Sequence, residues 1–364
     1  MSNLVFYRRY RPKTFSEVVG QEHVIQTLIN AIGSDRISHA YLFCGPRGSG
    51  KTTVARLLAK AINCENPKKY EPCNQCLSCK EINQSKAMDL IEIDAASNRG
   101  IDEIRNLRDG IAFVPTKSKY KVFILDEAHQ LSKDAANALL KTLEEPPSHA
   151  IFILATTEPQ KMIPTIVSRC QRFDFRRLKT KEINDKLNKI LKEEKIEFEE
   201  EAVQLISQAA YGSIRDAESL LDQAISFAGT QKILEKEIVE KILGIVDKKI
   251  IFQFLDYLFK KQTKEAIAFL EEIVFKGIDL QEFAKSLIQY LREILLLKIS
   301  PEFEISLLLD KEEKMELKKL AFNLSEEEIK NFIKKFIEAE TKIKFASIPQ
   351  LPLELAIIEL LGNH

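Results

Sequence analysis

The segment Gly45-Pro-Arg-Gly-Ser-Gly-Lys-Thr52 constrains this chain more than any other feature. It follows an apolar run, Tyr41–Cys44, and opens a helical pattern that extends from Lys51 to about Asn63. A glycine loop between a buried strand and a helix presents successive backbone N–H groups, and the helix N-terminus adds favourable partial charge. The pattern predicts a phosphate-binding loop, in which Lys51 reaches the β- and γ-phosphates and the Thr52 hydroxyl coordinates Mg²⁺. The alternative is a chance glycine turn before a helix.

Continuous apolar runs recur through the first half of the chain and predict further buried strands. They lie at Leu90–Ile93, Val122–Leu125 and Ile151–Ala155, and a polar turn and a helical pattern follow each. Such runs indicate parallel strands that are covered on both faces. The predicted fold class is therefore α/β, a doubly wound P-loop sheet that binds its ligand at the carboxyl ends of the strands.

After about Leu178 the strand signals largely stop and amphipathic helical patterns take over. They fall at Lys181–Lys195, Glu199–Ala210, Ser213–Phe227, Leu234–Leu243, Ile250–Phe259, Ala266–Phe275, Leu280–Leu297 and Ile329–Phe345. A chain of 364 residues is too long for one ordinary core. We therefore predict a nucleotide-binding domain at 1–178 with an insertion near 64–79, a small helical domain at 179–244 and an all-helical domain at 245–364.

Composition limits the classes of function. Lys and Arg total 54, as do Asp and Glu, so the formal net charge is zero. Contact with nucleic acid would therefore have to come from a local basic patch. No apolar run approaches the roughly 18–20 residues that span a bilayer, and the N-terminus lacks the apolar core of a signal peptide. We expect a soluble, cytoplasmic protein with no membrane partner.

A second motif narrows the chemistry of the site. The strand pattern Val122–Leu125 ends in Asp126 and Glu127. Asp126 at the strand tip is placed to hold Mg²⁺ through water, and Glu127 is the candidate to orient and polarise an attacking water. The next predicted strand would lie beside this one and ends at Thr157, which brings a hydroxyl near the γ-phosphate. An ordinary exposed turn could also end a strand with Asp-Glu.

Four of the six cysteines cluster with the spacing C-x8-C-x2-C-x2-C, at Cys64, Cys73, Cys76 and Cys79. In a cytosolic chain such a cluster points to metal before disulfide. Four thiolates can close a tetrahedral Zn²⁺ site and leave no open position for catalysis, so the predicted zinc is structural. The run lacks the fourth cysteine and the proline of the bacterial ferredoxin pattern. Free thiols, an iron–sulfur cluster and a disulfide are the alternatives.

Several segments together resemble the clamp-loader AAA+ family, and within it the gamma/tau subunits of bacterial DNA polymerase III. The segments are Tyr10–Phe15, Val18–Gln21, Gly45–Thr52, Asp126–His129, Leu139–Pro147, Ala155–Pro159 and Ser168–Cys170. The resemblance is strong from Leu4 to about Gly244 and extends to the last helical block by position and type. The combination of LLKTLEEPP with SRC is specific to this family, whereas a glycine loop alone is not.

The resemblance implies an ATPase of the AAA+ type and a role for several residues. Thr157 would be a sensor near the γ-phosphate, and Arg215 a second sensor that reports nucleotide state to a helical lid domain. Arg169 would be an arginine finger that acts on the nucleotide of a neighbouring subunit; in isolation a surface ion pair is the alternative. The implied nucleotide-binding residues are Arg11, Val19, Gly45, Pro46, Arg47, Gly48, Ser49, Gly50, Lys51, Thr52 and Thr53. The implied cofactors are ATP, Mg²⁺ and, because the family carries the same cysteine insertion, Zn²⁺.

The resemblance also implies partners. Arg105, Lys141, Lys161 and Thr165 match positions that would face primer–template DNA, although a solvated surface charge is the alternative for any single lysine. The implied protein partners are subunits of the delta and delta-prime types and the sliding clamp, with the polymerase core as a further candidate. The last helical domain would be a collar that joins subunits in a hetero-pentamer; a self-contained helical domain is the alternative.

The function that follows is a motor, in which ATP binding opens a sliding clamp and DNA-triggered hydrolysis releases it on primer–template DNA. Two other functions compete with it. A non-catalytic loader scaffold would not need the intact set of Lys51, Thr52, Asp126 and Glu127. Another AAA+ DNA motor, of the branch-migration type, is disfavoured by the cysteine insertion and the SRC segment.

Overall fold

The computed structural model describes residues 4–97, 110–111, 113–229, 233–244, 246–299, 315, 319 and 324–362. The chain forms two compact units, Met1–Val239 and Glu240–His364. The finer domain boundaries drawn from the sequence stay predictions. Within the described ranges, no helix combines the length and the apolar character that crossing a membrane requires.

A five-stranded parallel sheet organises the first unit, in the order β2-β3-β4-β1-β5. The strands are β1 Ala40–Cys44, β2 Leu90–Asp94, β3 Lys121–Asp126, β4 Ala150–Thr156 and β5 Gln171–Asp174. The first four were predicted from their apolar runs, to within one residue at each end. The predicted parallel α/β sheet is therefore confirmed, as is the position of β4 beside β3.

The sheet is buried because helices cover both of its faces. Tyr41 and Phe43 pack on one face in a core that also holds Val54 and Leu58 of the phosphate-loop helix (Lys51–Ile62). Leu42 faces the opposite core, beside apolar side chains of the helix Lys133–Glu144. Every residue of β1 and β4 is buried, which explains why these strands are continuous apolar runs.

The remaining elements of the first unit are mostly helical. Its other helices are Phe6–Arg9, Glu22–Gly33, Leu77–Asn83, Pro164–Val167, Thr180–Glu194, Glu200–Ala209, Ile214–Ala228 and Lys236–Leu243, the last of which contains the boundary to the second unit. Short 3-10 turns lie at Phe15–Glu17, Ala128–Gln130 and Pro159–Lys161. A small second sheet pairs β6 Glu197–Phe198 with β7 Ile233–Leu234 in parallel.

Three strands were absent from the sequence prediction. β5 is an edge strand in which only Phe173 is buried, so it offers no apolar run to detect. β6 and β7 have two residues each, too few to show a period. Leu234 was predicted to begin a helix; instead it lies in β7, and the helix begins at Lys236.

The second unit contains the helices Lys248–Phe259, Thr263–Phe275, Leu280–Ile299, Glu326–Ile343 and Leu351–Leu361. Phe254 is fully buried at its centre, with ring centroids 5.1 Å from Phe283 and 6.4 Å from both Phe269 and Phe336. These rings come from four helices, so one aromatic cluster holds the bundle together. The predicted helical C-terminal block is confirmed.

Candidate nucleotide site

A cleft lies at the carboxyl ends of the strands, in the first unit. It brings together most of the residues predicted to bind nucleotide: Arg11, Val19, Arg47–Thr53, Asp126, Glu127 and Arg215. Gly45 and Pro46 contribute backbone carbonyl groups just behind it. Thr157 and Arg169 are not among the residues that line it.

The glycine loop holds Lys51 through its own backbone carbonyl groups. Gly50 has a φ of 99° at the N-cap of the phosphate-loop helix, a conformation that favours glycine. The Lys51 Nζ donates hydrogen bonds of 2.7 Å to the Gly45 carbonyl and 2.9 Å to the Pro46 carbonyl. Burial lowers the pKa of Lys51, although Glu127 and Asp126 oppose that shift. The ammonium group is therefore held in place but poorly solvated.

The helix Ile214–Ala228, which we call the lid helix, begins directly against the glycine loop. Its first N–H, that of Ile214, donates to the Gly48 carbonyl at 3.3 Å. Ser213 caps the helix, because its side chain accepts a hydrogen bond from the Asp216 N–H. A Cβ on Gly48 would lie 1.9 Å from the Ser213 Oγ, and the φ of Gly48 is +73°. Only glycine permits this close approach.

Thr52 and Asp126, which were predicted to hold Mg²⁺, lie together on one side of the cleft. The Thr52 Oγ1 donates to the Asp126 Oδ2 at 2.7 Å. Asp126 is the last residue of β3, and Thr52 is the second residue of the phosphate-loop helix. Two different elements therefore bring the hydroxyl and the carboxylate together. A hydroxyl and a carboxylate are oxygen ligands that suit Mg²⁺.

Glu127 is held by the end of the neighbouring strand. It has a φ of 47°, and its Oε2 accepts a 2.8 Å hydrogen bond from the Thr157 Oγ1. The Nδ1 of His129 lies 3.5 Å from the same oxygen and 3.0 Å from the Thr156 Oγ1. His129 was part of the motif but was not predicted as a site residue. Its side chain is 3% exposed, so it packs behind the carboxylate.

Gln21 links the glycine loop to the end of the sheet. It is fully buried, its Nε2 donates to the carbonyl groups of Ser49 and Arg176, and its Oε1 accepts from the Arg176 N–H. Sequence reasoning quoted Gln21 only within a family segment. Other residues that line the cleft but were not predicted as site residues are Tyr7, Pro12, Glu17, Val18, Leu178, Lys186, Ile214 and Glu218.

The two predicted arginines lie at different places. The Arg215 guanidinium lines the cleft and lies 4.9 Å from the centroid of the Tyr7 ring. Arg169 is elsewhere, where its Nη2 donates to Glu144 at 2.6 Å and its Nη1 to the Thr165 carbonyl at 2.8 Å. Arg169 is thus fixed within its own chain but does not line that chain's cleft.

Three of the four residues predicted to face DNA are described by the structure. Lys141, Lys161 and Thr165 are exposed. The Nζ of Lys161 forms an ion pair of 2.7 Å with Glu158. Arg105 lies outside the described residues.

The four clustered cysteines converge. Their sulfur atoms all lie within 4.8 Å of one another, with Cys73 and Cys79 4.0 Å apart. Tetrahedral Zn–S bonds of about 2.3 Å require sulfur separations of about 3.8 Å, so the set fits zinc. Backbone N–H groups of Gln75 and Cys76 lower the pKa of Cys73 to about 6. The four thiols therefore lie close enough together to share a metal ion, and the Cys73 thiol is the one whose lowered pKa favours the thiolate.

The strand order, the glycine loop and the acid pair define a P-loop protein of the AAA+ class. The Holliday junction branch migration motor RuvB of Thermotoga maritima has the same fold, with a TM-score of 0.50 and 20% identity over 68% of this chain and 79% of that one. At that identity the likeness shows the fold alone.

The chain belongs to the gamma/tau family of DNA polymerase III subunits. Residues 182–230 match the family described as the ATPase lid domain of the DNA polymerase III clamp loader subunit, and residues 234–363 match domain III of subunits gamma and tau. Residues 20–179 match a family described as DNA polymerase III, delta subunit.

Individual relatives of similar sequence belong to the same family of subunits. The tau subunit of Bacillus subtilis is 45% identical over 99% of this chain and 63% of its own length, and that of Escherichia coli is 38% identical over 100% and 56%. The gamma subunit of Buchnera aphidicola from Acyrthosiphon pisum is 36% identical over 100% of this chain and 99% of its own length. The chain thus spans a little over half of these tau subunits and nearly all of that gamma subunit.

Proposed function

We propose that this chain is the ATP-hydrolysing subunit of a bacterial clamp loader, which opens a sliding clamp and closes it on primer–template DNA. The observation that carries the proposal is the cleft, where a glycine loop, a Thr–Asp pair and a glutamate meet at the ends of adjacent strands. Membership of the gamma/tau family supports the same activity.

The glycine loop binds the phosphates. Residues Arg47–Thr53 offer backbone N–H groups at a helix N-terminus, and Lys51 exchanges two carbonyl contacts for phosphate oxygens. This exchange is favourable because the buried ammonium group gains an anionic partner. Thr52 and Asp126 would hold Mg²⁺, which neutralises charge on the phosphates.

Glu127 orients the attacking water and accepts its proton. In the structure its Oε2 is occupied by the Thr157 hydroxyl, so part of the carboxylate is withheld from water. We assign Thr157 to sensing the γ-phosphate, because a hydroxyl drawn toward that phosphate would release Glu127. Arg215 is assigned to the same nucleotide from the lid helix.

Arg169 completes the site of a neighbouring subunit. Glu144 and the Thr165 carbonyl fix its guanidinium outside its own cleft, which suits a group that acts in trans. The last helix supports subunit contact, because Leu351, Leu355 and Ile358 expose 42–49% of their surface along one face. We propose that this face belongs to a collar within a hetero-pentamer of gamma/tau, delta and delta-prime type subunits.

The cysteine set Cys64, Cys73, Cys76 and Cys79 is proposed to hold a structural zinc ion, which would stabilise an insertion with little core of its own. Lys141, Lys161 and Thr165 are proposed to contact DNA phosphates, which would fix position without selecting sequence. The polymerase core is a further proposed partner.

Two variants test the nucleotide chemistry. Lys51→Ala removes the phosphate-binding cation, so Mg·ATP binding should weaken by at least tenfold. Glu127→Gln keeps the shape of the side chain but cannot accept a proton, so binding should persist while hydrolysis falls by about 10²-fold or more. Equilibrium titration with a fluorescent ATP analogue and a phosphate-release assay measure the two effects. Unchanged binding by Lys51→Ala would contradict the proposed site.

A further inference from the structure

One acidic side chain that lines the cleft, Glu218, is buried. Glu218 is 5% exposed and lines the cleft, yet among the described residues its carboxyl makes no hydrogen bond or ion pair. Burying a carboxyl group without a hydrogen-bond donor is unfavourable, because the charges of Lys186 and Arg11 only partly offset the hydration that it loses. Such a group within a binding cleft indicates that the ligand supplies the missing partner.

The position of Glu218 identifies the part of the ligand that it meets. Ile214, Arg215 and Glu218 line the cleft from one face of the lid helix. Ile214 contacts the glycine loop, and Glu218 lies about 6 Å farther along the helix axis at about 1.5 Å per residue. The charges that act on it belong to Lys186 and Arg11, neither of which is in the glycine loop. The carboxyl therefore meets the nucleoside half of a bound nucleotide.

The surroundings favour the base over the ribose. Val19 and Leu178 line the same cleft, and apolar side chains suit the flat faces of a purine. Adenine carries an amino group next to the ring nitrogen N1, which is a donor beside an acceptor. Burial raises the pKa of Glu218 to about 7, against the influence of Lys186 and Arg11. A carboxyl group accepts a hydrogen bond in either protonation state, and the neutral acid can also donate one to N1.

We propose that Glu218 accepts a hydrogen bond from the exocyclic amino group of adenine and thereby contributes to base selection. The inference rests on the proposed nucleotide binding and adds to it a specificity-determining residue on the lid helix. This hydrogen bond would connect the base directly to the lid helix, where Glu218 and Arg215 lie on the same face.

The test compares two nucleotides that differ only in that amino group. Dissociation constants are measured for the Mg²⁺ complexes of ATP and purine riboside triphosphate, with the wild type, Glu218→Leu, Glu218→Gln and Asp216→Asn. Asp216 is exposed on the same helix and does not line the cleft, so it controls for the loss of one negative charge. Glu218→Gln keeps an acceptor.

The wild type, Glu218→Gln and Asp216→Asn should prefer ATP by about 5–10-fold, as one net hydrogen bond implies. Glu218→Leu should bind both nucleotides within twofold of each other. Its thermal unfolding midpoint should equal or exceed that of the wild type, because an unpaired buried carboxyl is gone. If Glu218→Leu does not fold, Glu218→Met takes its place with the same expectation.

An unchanged preference for ATP in the apolar variant would overturn the inference. Dissociation constants for 2′-deoxy-ATP distinguish the alternative at the ribose. If the wild type prefers ATP to 2′-deoxy-ATP and Glu218→Leu loses only that preference, the carboxyl lies at the ribose and the inference is overturned. These outcomes leave the proposed function intact. A wild type that binds no nucleotide would instead overturn the proposed function, and this inference with it.

Discussion

At the scale of single residues, the cleft holds ionisable groups whose surroundings disfavour their charge. Burial lowers the pKa of Lys51 and raises that of Glu218 to about 7, so each group is less stable in its charged form than it would be in water. A nucleotide relieves both penalties, since phosphate oxygens pair with the ammonium group and a base amino group pairs with the carboxyl. Part of the binding free energy therefore comes from groups that the protein keeps under-solvated.

Glu218 should also make stability depend on pH. Its pKa is about 7 in the folded state, against an ordinary value of 4.5, so the folded state holds the proton more tightly. The resulting stabilisation is fully present below about pH 4.5 and is lost as the pH rises through about 7. The full span corresponds to about 3 kcal/mol. Glu218→Gln lacks this titration and should exceed the wild type in stability at pH 8.

Urea unfolding of the wild type and of Glu218→Gln between pH 5 and pH 8 measures the difference. The gap between their midpoints should narrow as the pH falls. A gap that stays constant over this range would contradict the account of a buried, unpaired carboxyl. Because the two proteins share every other titrating group, the comparison isolates this one.

At the scale of elements, the phosphate-loop helix joins two sites. Lys51 lies at its first residue, and Lys60 near its end is 2% exposed. The Nζ of Lys60 donates to the Lys13 carbonyl and to the Oδ1 atoms of Asn74 and Asn83, at 2.7–2.9 Å. This buried cation attaches the cysteine insertion to the end of the helix, so the insertion and the nucleotide loop are held by one rigid element.

Replacing Cys76 with Ser should release the metal. Three thiolates bind zinc more weakly than four, and a metal site that organises a short insertion contributes to its folding. Metal content by mass spectrometry should fall from about one zinc per chain to well below that value. Proteolysis should become faster within residues 64–79, which were predicted to hold the insertion.

Cys170→Ser is the matched control, because Cys170 lies outside the cluster. It should keep the zinc and the wild-type resistance to protease. Wild-type protein that folds and is purified without bound metal would contradict the zinc assignment.

The elements that the sequence predicted share one property, which is a periodic or continuous apolar pattern. The strand around Phe152 and the lid helix both have it, whereas the edge strand around Phe173 does not. The neighbouring positions of the strands that end at Asp126 and Thr156 were predicted, but the hydrogen bond between Thr157 and Glu127 was not. Glu218 was missed, although an acid between Ala217 and Leu221 in a buried helix face was a signal that could have revealed it.

Other contacts could not be predicted, because they join distant parts of the chain without a shared pattern. Glu144 and Arg169 pair across 25 residues, and Gln21 reaches Arg176 across 155. Such contacts depend on how the helices and strands finally pack. A single sequence gives no repeating pattern of apolar residues from which that packing can be predicted.

At the scale of the whole molecule, two features of the described chain bear on its assembly. Arg169 does not line that cleft, and the last helix exposes an apolar face. Both observations agree with an assembly in which each nucleotide lies between two subunits. A guanidinium supplied by a neighbour can accelerate phosphoryl transfer by about 10³–10⁵-fold, so activity should depend on assembly.

The central claim is tested most directly by the steady-state ATPase rate of the loader assembled from this chain and its partner subunits. The rate is measured with and without sliding clamp and primed DNA, for the wild type, Lys51→Ala and Arg169→Ala. We predict strong stimulation of the wild type and its loss in both variants, with ATP binding retained in Arg169→Ala. A rate that clamp and primed DNA leave unchanged, despite intact nucleotide binding, would contradict the assignment as a clamp-loading motor.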